Sequence, residues 1–439
     1  MLALSLPSFV FSGYELARKT YLPVLLVGAA GLEMARAGLI LTVIAGWSIL
    51  VEVVFGMVCD VAPDARRRRG FWVAVGTVLQ WAGGLTLWVA GPGGGSVTVW
   101  LLGLLPLASG WVLSNLAHGA WALERAGGDL ARGRIFGARA QAGMAGSILF
   151  ALAILWSGQT GPGLDPFYVI LGLTMVGAPL THGWLIWRVH ERGDETPISA
   201  RLDLASLLKP FQVCAATPAD RWLATLFLLV GAHMAVIGSS FLFIARHRLA
   251  LPDWGTPGIL AQALAAMAGT GIAPGLLSRM SPLRMLAGVF TINLALALAL
   301  PALPPGQIVP LLVWSAGTGA TMAVDFLLLR VVLGQRLDRE RQRHGEAPAA
   351  AFYAGFHLPF NIGAMIGTGL LFHGLGWTGL ERDQGAGLVW LTCAMAGAVL
   401  MLALGCVGLM GRAIAREGAR PAANPALNVR IYRSTKQTS

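Results

Sequence analysis

The sequence predicts an all-α membrane protein whose twelve transmembrane helices form two pseudo-symmetric bundles of six, with both termini in the cytoplasm. Its 439 residues are 56% hydrophobic and only 12% charged, whereas soluble domains carry about 25% charged residues. Windows of about 20 apolar residues recur along the whole chain, and each is long enough to cross a bilayer as a helix. Basic residues gather in alternate loops, which sets the orientation of the spans.

Twelve apolar segments account for most of the chain, and short turns rich in glycine or proline separate several of them. The turn GPGGG at 91–95 lies between the third and fourth segments, and such residues punctuate helices. We predict the spans at 7–30, 37–59, 71–90, 97–121, 138–157, 166–187, 222–245, 254–277, 283–301, 307–330, 350–374 and 387–411.

The distribution of basic residues predicts the orientation. Of the 32 lysines and arginines, 26 fall in one set of alternating loops or in the C-terminal tail, and four fall in the opposite loops. The remaining two, Arg18 and Lys19, lie inside the first span. Because cytoplasmic loops carry an excess of Lys and Arg, we expect both termini and the central loop to face the cytoplasm.

The basic central loop at 188–221 divides the spans into two groups of six. We predict an N-terminal bundle at 1–187, a C-terminal bundle at 222–411 and a basic cytoplasmic tail at 412–439. The halves also resemble each other, since GMVCDVAPDARRRR follows the second span and GLLSRMSPLR follows the eighth. Repeated halves indicate bundles that rock about a central site, although charge bias alone would also place basic loops at matching positions.

Composition and motifs exclude several classes of function. The net charge of +11 reflects basic cytoplasmic loops rather than nucleic-acid binding. The four cysteines form no CxxC pair and no metal-ligand spacing,. The sequence contains no HExxH, GxSxG or P-loop motif,. We therefore expect no enzymatic activity, no cofactor and no metal site, so any uphill transport must draw on an ion gradient.

Glu52 lies in the second span, about two turns from its cytoplasmic end. A charged side chain at the bilayer centre costs at least about 2.5–3.5 kcal/mol, and normally faces a water-filled cavity or a partner. Burial disfavours the charged form of a carboxyl group, so Glu52 is a candidate to bind and release a proton. The alternative is a carboxylate that pairs structurally with a base on the first span.

The first span contains SGYELARKTYLP, in which Glu15, Arg18 and Lys19 are three and four residues apart and share one helical face,. Three charges on one face of a membrane helix indicate an aqueous path. The alternative is a span that begins near Thr20 and leaves the charges at the interface, but too few apolar residues would then remain to cross the bilayer. Pro23 is expected to kink the helix beside this site.

Other polar and aromatic residues of the spans have a functional and a structural interpretation. Asp325, late in the tenth span, either helps to close the cytoplasmic side or pairs with a basic loop. Trp121 is a candidate to stack on a flat ligand, although tryptophan commonly anchors a span at the interface. Histidines in or near spans are more often packing groups than proton relays; they are His118, His182, His233, His357 and His373.

Three loop segments carry distinctive motifs, namely DVAPDARRRRGFW at 60–72, AWALERAGGDLARGRIFGAR at 120–139 and VDFLLLRVVLGQR at 324–336. They resemble D-R-x-x-x-x-x-G-R-R-x-P-W, A-W-G-x-E…E-R-x-R-I…R and A-D-V-x-D-Y…G-x-R of the glycoside–pentoside–hexuronide:cation symporters, a branch of the major facilitator superfamily. The resemblance covers nearly the whole chain and implies the major facilitator fold. It also implies a cytoplasmic gate of breakable charge pairs, made by Asp60, Arg68, Arg69, Arg132, Arg134, Arg139 and Asp325.

The sequence departs from this family at the cation site. The family's second helix carries two aspartates in W-D-x-x-x-D-P-x-x-G, and alignment on Trp47 and Gly56 places Ser48 and Glu52 there. Asn361 stands where the family has a lysine in span eleven. One carboxylate and one hydroxyl make a poorer Na⁺ site than two carboxylates, because hard cations prefer several oxygens. We therefore predict coupling to protons through Glu52, or no coupling.

The function predicted from these observations is alternating-access transport of a small polar solute, such as a sugar, glycoside or uronide. We expect a monomer that crosses the inner (cytoplasmic) membrane many times. Two alternatives stay open, an uncoupled facilitator or exporter of a lipid-like or drug-like solute, and a sensor or assembly factor that does not transport. The predicted substrate site, whose cations would attract an acidic group, comprises Glu15, Arg18, Lys19, Trp121 and Asn361.

Overall fold

The computed structural model describes residues 2–58, 68–92, 96–125, 129–159, 165–190, 212, 215–344, 349–378 and 386–419. This part of the chain is built of helices and short turns and contains no strand, as the sequence predicts. Most of the predicted central loop and the last 20 residues of the predicted tail lie outside the described ranges.

The helices fall into two groups separated by the central loop. Those before the central loop are α1 (Leu2–Leu16), α2 (Leu22–Val27), α3 (Met34–Val58), α4 (Arg68–Ala90), α5 (Val97–Arg125), α6 (Asp129–Gln159) and α7 (Pro166–Arg188). Those after it are α8 (Pro218–Phe243), α9 (Gly255–Leu277), α10 (Pro282–Ala299), α11 (Ile308–His344), α12 (Ala349–Thr378) and α13 (Ala386–Ala419). Single π-helical turns, Ala17–Tyr21 and Ile244–Arg248, continue α1 and α8, and 3₁₀ turns lie at Pro252–Trp254 and Leu300–Ala302.

Eleven helices of the described ranges are long and apolar enough to cross a membrane. They correspond to predicted spans two to twelve. The predicted first span corresponds to α1, the π turn and α2, which carry Glu15, Arg18 and Lys19 and are not among the eleven. By length and composition, the structure thus accounts for predicted spans two to twelve. The predicted first span stays a prediction.

Two helices run past the ends of their predicted spans. α11 continues from 330 to His344, and α13 continues from 411 to Ala419. The additional residues are mainly Arg, Gln, Leu, Glu and Ala, which are good helix formers. A helix can therefore leave the apolar layer without unwinding, which hydropathy alone does not reveal.

The predicted kink in the first span takes the form of a π turn. Pro23 has no N–H to donate, and its ring crowds the carbonyl four residues earlier. The chain widens into the π turn Ala17–Tyr21 just before this proline, and π turns within helices often mark functional sites. Arg18 and Lys19 lie in this turn.

The helices before the central loop pack chiefly on one another, and so do those after it. α4 packs on α5, α1 on α6 and α7, and α3 on α5, whereas α12 and α13 pack on α8, and α9 and α10 on α11. The two parts meet where α3 packs on α12, where α6 packs on α9, and where the π turn touches α8.

The contact of α3 with α12, here called the α3–α12 seam, is antiparallel and starts with small residues. A Cβ atom at Gly376 would lie 3.0 Å from Ala35 Cβ, and one at Gly369 would lie 3.0 Å from Thr42 Oγ1. Small residues let membrane helices approach this closely. Further along, the same seam carries polar side chains.

Candidate functional site

Three polar residues form a hydrogen-bonded group, here called the Glu52 cluster, on the α3–α12 seam. Asn361 Nδ2 donates to Glu52 Oε2 at 2.6 Å, and His357 Nδ1 lies 3.1 Å from Glu52 Oε1. Asn361 Nδ2 and His357 Nδ1 are 3.2 Å apart. Because His357 and Asn361 are four residues apart on α12, they share one helical face, and both reach the same carboxylate on α3.

The Glu52 cluster is partly open rather than sealed in the core. The side chains of Glu52 and His357 are 16% and 25% exposed. Glu52 nevertheless lies on a helix apolar enough to cross a membrane. A carboxylate in that setting with polar partners is the kind of group that solvent, protons or cargo can reach.

Glu15, Arg18 and Lys19 share one face of the first helix, as their spacing predicts. Arg18 Nη2 lies 3.3 Å from Glu15 Oε1, and Lys19 Nζ pairs with Glu15 Oε2. The three side chains are between 21% and 34% exposed. Two cations around one carboxylate leave a net positive charge on this face.

Phe360 connects this charged face with the Glu52 cluster. Lys19 Nζ lies 5.9 Å from the centroid of the Phe360 ring, a cation–π distance. The His357 ring stacks on the same phenyl ring, with centroids 5.7 Å apart and planes inclined by 28°. The structure thereby brings four predicted site residues, Glu15, Lys19, Glu52 and Asn361, into one neighbourhood.

Arg18 also borders a small cavity within the first part of the chain. The cavity measures about 10 Å³ and is lined by Tyr14, Arg18, Thr174 and apolar residues. That volume holds about one water molecule. The Thr174 hydroxyl is buried and has no hydrogen-bond partner in the described part of the chain.

The remaining two residues predicted for the substrate and coupling sites occupy different surroundings. Ser48 lies one turn before Glu52 on α3, and its hydroxyl donates to the Ile44 carbonyl at 2.8 Å. Trp121 is only 2% exposed and packs in an apolar cluster that includes Leu4 and Leu185. Its ring therefore has no open face for a ligand in this structure.

The predicted cytoplasmic gate is described only in part. Asp60 lies outside the described residues, as do the side chains of Arg68, Arg132 and Arg134. Arg69 is buried at 5% exposure near the start of α4.

Arg139, another predicted gate residue, joins three helices of the first part. Its Nε donates to Ser8 Oγ at 3.3 Å, and its Nη2 lies 3.1 Å from His118 Nδ1. His118 Nε2 lies 2.7 Å from the Leu4 carbonyl. Because the ring nitrogen facing a carbonyl must donate, Nδ1 of neutral His118 accepts the arginine N–H. His118 thus holds the Arg139 guanidinium against α1.

Asp325, the last predicted gate residue, is fully buried between α10 and α11. Asn293 Nδ2 donates to Asp325 Oδ2 at 3.1 Å, and Thr321 Oγ1 donates to Asn293 Oδ1 at 2.5 Å. Within the described ranges no lysine or arginine pairs with Asp325. Its surroundings are therefore an amide and a hydroxyl rather than a charge pair.

Two features were not predicted as sites. His357 is among the histidines for which the sequence favours a packing role, although its spacing from Asn361 places both on one face of α12. Arg336 binds Asp220 Oδ1 at 2.8 Å, Glu417 Oε2 at 2.5 Å and Thr217 Oγ1 at 2.7 Å. These contacts, here called the Arg336 clasp, join α8, α11 and α13. The one sequence signal for this arginine is its position at the end of the third loop motif.

A chain whose described ranges are helical, with many apolar helices of membrane-crossing length and with polar groups where its two parts meet, is a multi-pass membrane protein of transporter type. The chain belongs to the MFS/sugar transport protein family, whose model matches residues 4–413. The match confirms the resemblance drawn from the three loop motifs. No curated protein matches the sequence closely enough to count as a relative.

Solved structures share the fold at low sequence identity. The D-xylose–proton symporter aligns with a TM-score of 0.68 and 14% identity over 92% of this chain and 96% of its own. The nucleoside transporter NupG aligns with a TM-score of 0.66 and 15% identity over 93% and 98%. A bacterial homologue of human drug peptide transporters aligns with a TM-score of 0.65 and 12% identity over 95% of this chain and 98% of its own. The major facilitator fold is therefore shared by proteins named for quite different solutes.

Proposed function

We propose that this protein is a secondary active transporter that moves a small polar solute, such as a sugar, glycoside or uronide, across the inner membrane by alternating access. Transport is coupled to protons through Glu52. In this proposal twelve spans form two six-helix bundles, both termini are cytoplasmic, and the protein acts as a monomer.

The observation that carries the proposal is the position of Glu52 on the α3–α12 seam. Its carboxylate binds His357 and Asn361, which belong to the other part of the chain. A proton taken up or lost by this carboxylate alters contacts between the two parts, and a change in their relative stability is what alternating access requires. The family match supports a sugar-type solute.

The charged face of the first helix supports a site for a polar substrate. Lys19 approaches Phe360 beside the Glu52 cluster, and Arg18 and Lys19 together outweigh the charge of Glu15. Such a face favours a solute with an acidic group or many hydroxyls. A uronide has both features, and a neutral sugar has the second.

Uptake into proteoliposomes tests this proposal. Purified protein would be assayed with radiolabelled D-xylose, a methyl glucoside and D-glucuronate, with and without an inward proton gradient, in the presence and absence of Na⁺. We expect at least one of these solutes to accumulate with the proton gradient and without Na⁺. Uptake that only equilibrates would support a facilitator, and binding without uptake would support a sensor.

The variant Glu52→Gln identifies the coupling group. We expect it to reduce gradient-driven accumulation by about tenfold or more, because the group that carries the proton is removed, while solute counterflow persists. Glu33→Gln is the matched control, since the Glu33 side chain is 69% exposed before α3. Na⁺-dependent uptake that survives Glu52→Gln would refute the assignment.

A further inference from the structure

We propose that His357 is the proton-exchange partner of Glu52, so that the coupling site is a histidine–glutamate pair that links α3 to α12. This proposal rests on the proposed function but adds a residue and a mechanism to it. His357 and Glu52 are 305 positions apart in the chain, and they meet only because the two parts of the molecule pack together.

The distance between the two side chains requires a shared proton. His357 Nδ1 lies 3.1 Å from Glu52 Oε1. A carboxylate oxygen and an unprotonated ring nitrogen are both acceptors, so a proton must lie between them. Either Nδ1–H donates to the carboxylate, or protonated Glu52 donates to Nδ1.

Asn361 orients the Glu52 carboxyl group. Its Nδ2 donates to Glu52 Oε2 at 2.6 Å, which leaves Oε1 to face the imidazole. The same nitrogen lies 3.2 Å from His357 Nδ1, so Asn361 touches both members of the pair. The hydrogen bond that joins the pair is the one between Nδ1 and Oε1.

Loading adds one proton and breaks no other bond. The proton enters from solvent and binds Nε2 of His357. The other ring proton then lies between Nδ1 and Glu52 Oε1, either on Nδ1 as an imidazolium–carboxylate pair or on Glu52, which donates to Nδ1. Charge-assisted hydrogen bonds are about twice as strong as neutral ones, so loading strengthens the link between α3 and α12. Unloading returns the proton from Nε2 to solvent and weakens that link.

The groups around His357 set the balance between the two states. Glu52 favours the imidazolium from α3. Lys19, whose partner Glu15 also pairs with Arg18, contacts the same Phe360 ring as His357. Arg330 on α11 lies 4.3 Å from the Phe326 ring, which packs on Phe360 at 4.8 Å. Two other titratable groups lie on the helices around α12. Asp325 on α11 binds Asn293, and His233 on α8 is buried.

His357 lies one turn before Asn361 on α12 and presents a group that is cationic only when protonated. The positive charge that this helix offers to Glu52 therefore depends on pH.

Infrared titration of the purified protein tests the pair and needs no solute. The absorption of protonated Glu52 would be identified as the carboxylic-acid band lost in Glu52→Gln, and its midpoint measured against pH in each variant. We expect His357→Gln to move the midpoint upward by about one pH unit, a tenfold change in proton affinity, because the ionised carboxylate loses its best donor. His357→Lys should move it below the wild-type value.

His373→Gln is the matched control. His373 lies on the same helix, and its ring nitrogen lies 2.9 Å from the Gly369 carbonyl. Its replacement should leave the midpoint unchanged. If His357→Gln behaves like His373→Gln, or if His357→Lys fails to lower the midpoint, the pair is not the proton site. Neither measurement involves solute uptake. The histidine–glutamate pair can therefore be refuted while transport is still observed, and the reverse also holds.

A second readout follows the α3–α12 seam itself. Spin labels at Leu50 and Leu370, both exposed, would report the distance between the two helices by pulsed electron paramagnetic resonance. We expect a pH-dependent distance distribution in the wild type, no pH dependence in His357→Gln, and the low-pH distribution at every pH in His357→Lys. Equal pH dependence in the wild type and His357→Gln would overturn the proposal.

Discussion

Asp325 shows how a single buried acid can be accommodated by neutral partners. It is fully buried, and the amide of Asn293 donates to one of its oxygens. A buried carboxylate without a cation is costly in the ionised form. The structure therefore favours a role for Asp325 in holding α10 to α11, whereas the sequence also allowed a gate role.

Substitution of Asp325 separates these two roles. We expect Asp325→Asn to change the free energy of unfolding by about 1 kcal/mol or less, because an amide oxygen still accepts from Asn293. Asp325→Ala should cost about 1–3 kcal/mol, since the buried amide then loses its acceptor. Thermal unfolding in detergent, followed by tryptophan fluorescence, would measure both.

Asp253→Ala, at an exposed position in the turn before α9, is the control for Asp325→Ala and should be neutral. Equal losses in Asp325→Asn and Asp325→Ala would mean that the negative charge matters, which would favour the gate role instead.

The sequence predicted two of the three residues of the Glu52 cluster as site residues. Glu52 was predicted from its charge inside an apolar span, and Asn361 from its alignment with a lysine of span eleven; the structure places them 2.6 Å apart. His357 was not predicted, because a histidine in an apolar helix gives no local sign of its partner. The contact depends on a residue of α3, which no local pattern of α12 can specify.

At the scale of helices, the Arg336 clasp fixes the ends of three elements at once. Arg336 is 5% exposed, and its partners Asp220 and Glu417 are 4% and 15% exposed. Thr217 also caps α8, since its hydroxyl accepts from the Asp220 N–H at 3.2 Å. The clasp therefore joins a helix cap to two neighbouring helices.

Removal of the arginine should destabilise this part of the molecule. We expect Arg336→Met to lower the free energy of unfolding by about 3–5 kcal/mol, because the buried carboxylate of Asp220 and the half-buried carboxylate of Glu417 lose their cation,. Arg339→Met, one turn away at an exposed position of α11, should have almost no effect. Thermal unfolding of both variants would measure the difference, and equal stability would show that the clasp contributes nothing.

The helices themselves were predicted well, for a physical reason that acts locally. A helix must be about 20 apolar residues long to cross a bilayer, and eleven such helices appear where the spans were predicted. The ends were less predictable, because α11 and α13 continue into polar sequence. The sequence predicted a kink beside Pro23 but not that the kink would take the form of a π turn.

At the scale of the whole molecule, the α3–α12 seam is the contact that the proposed transport cycle must open and close. Its small-residue end brings Gly376 and Ala35 close together, with 3.0 Å between the Ala35 Cβ and a Cβ built at Gly376. Disulfides need a Cβ–Cβ separation of about 3.5–4.5 Å. Cysteines at these two positions can therefore be bridged after a small adjustment.

This geometry gives a test of rocking between the two parts. In a background without the native cysteines, we expect oxidised Ala35→Cys/Gly376→Cys protein to lose uptake of the solute that the wild type transports. Reduction should restore it, and each single variant should remain active under oxidation. Full activity of the cross-linked protein, with the bridge verified by mass spectrometry, would contradict alternating access at this seam.

The sequence by itself determined eleven of the spans, the charged face of the first helix and the family, because each depends on neighbouring residues or on short motifs. It also placed an isolated carboxylate in span two. Only the tertiary structure decided that Glu52 meets His357 and Asn361, that His357 and Lys19 both contact Phe360, and that Trp121 packs away from open space. These contacts join residues up to 309 positions apart, so they follow from how whole helices pack and not from any local pattern.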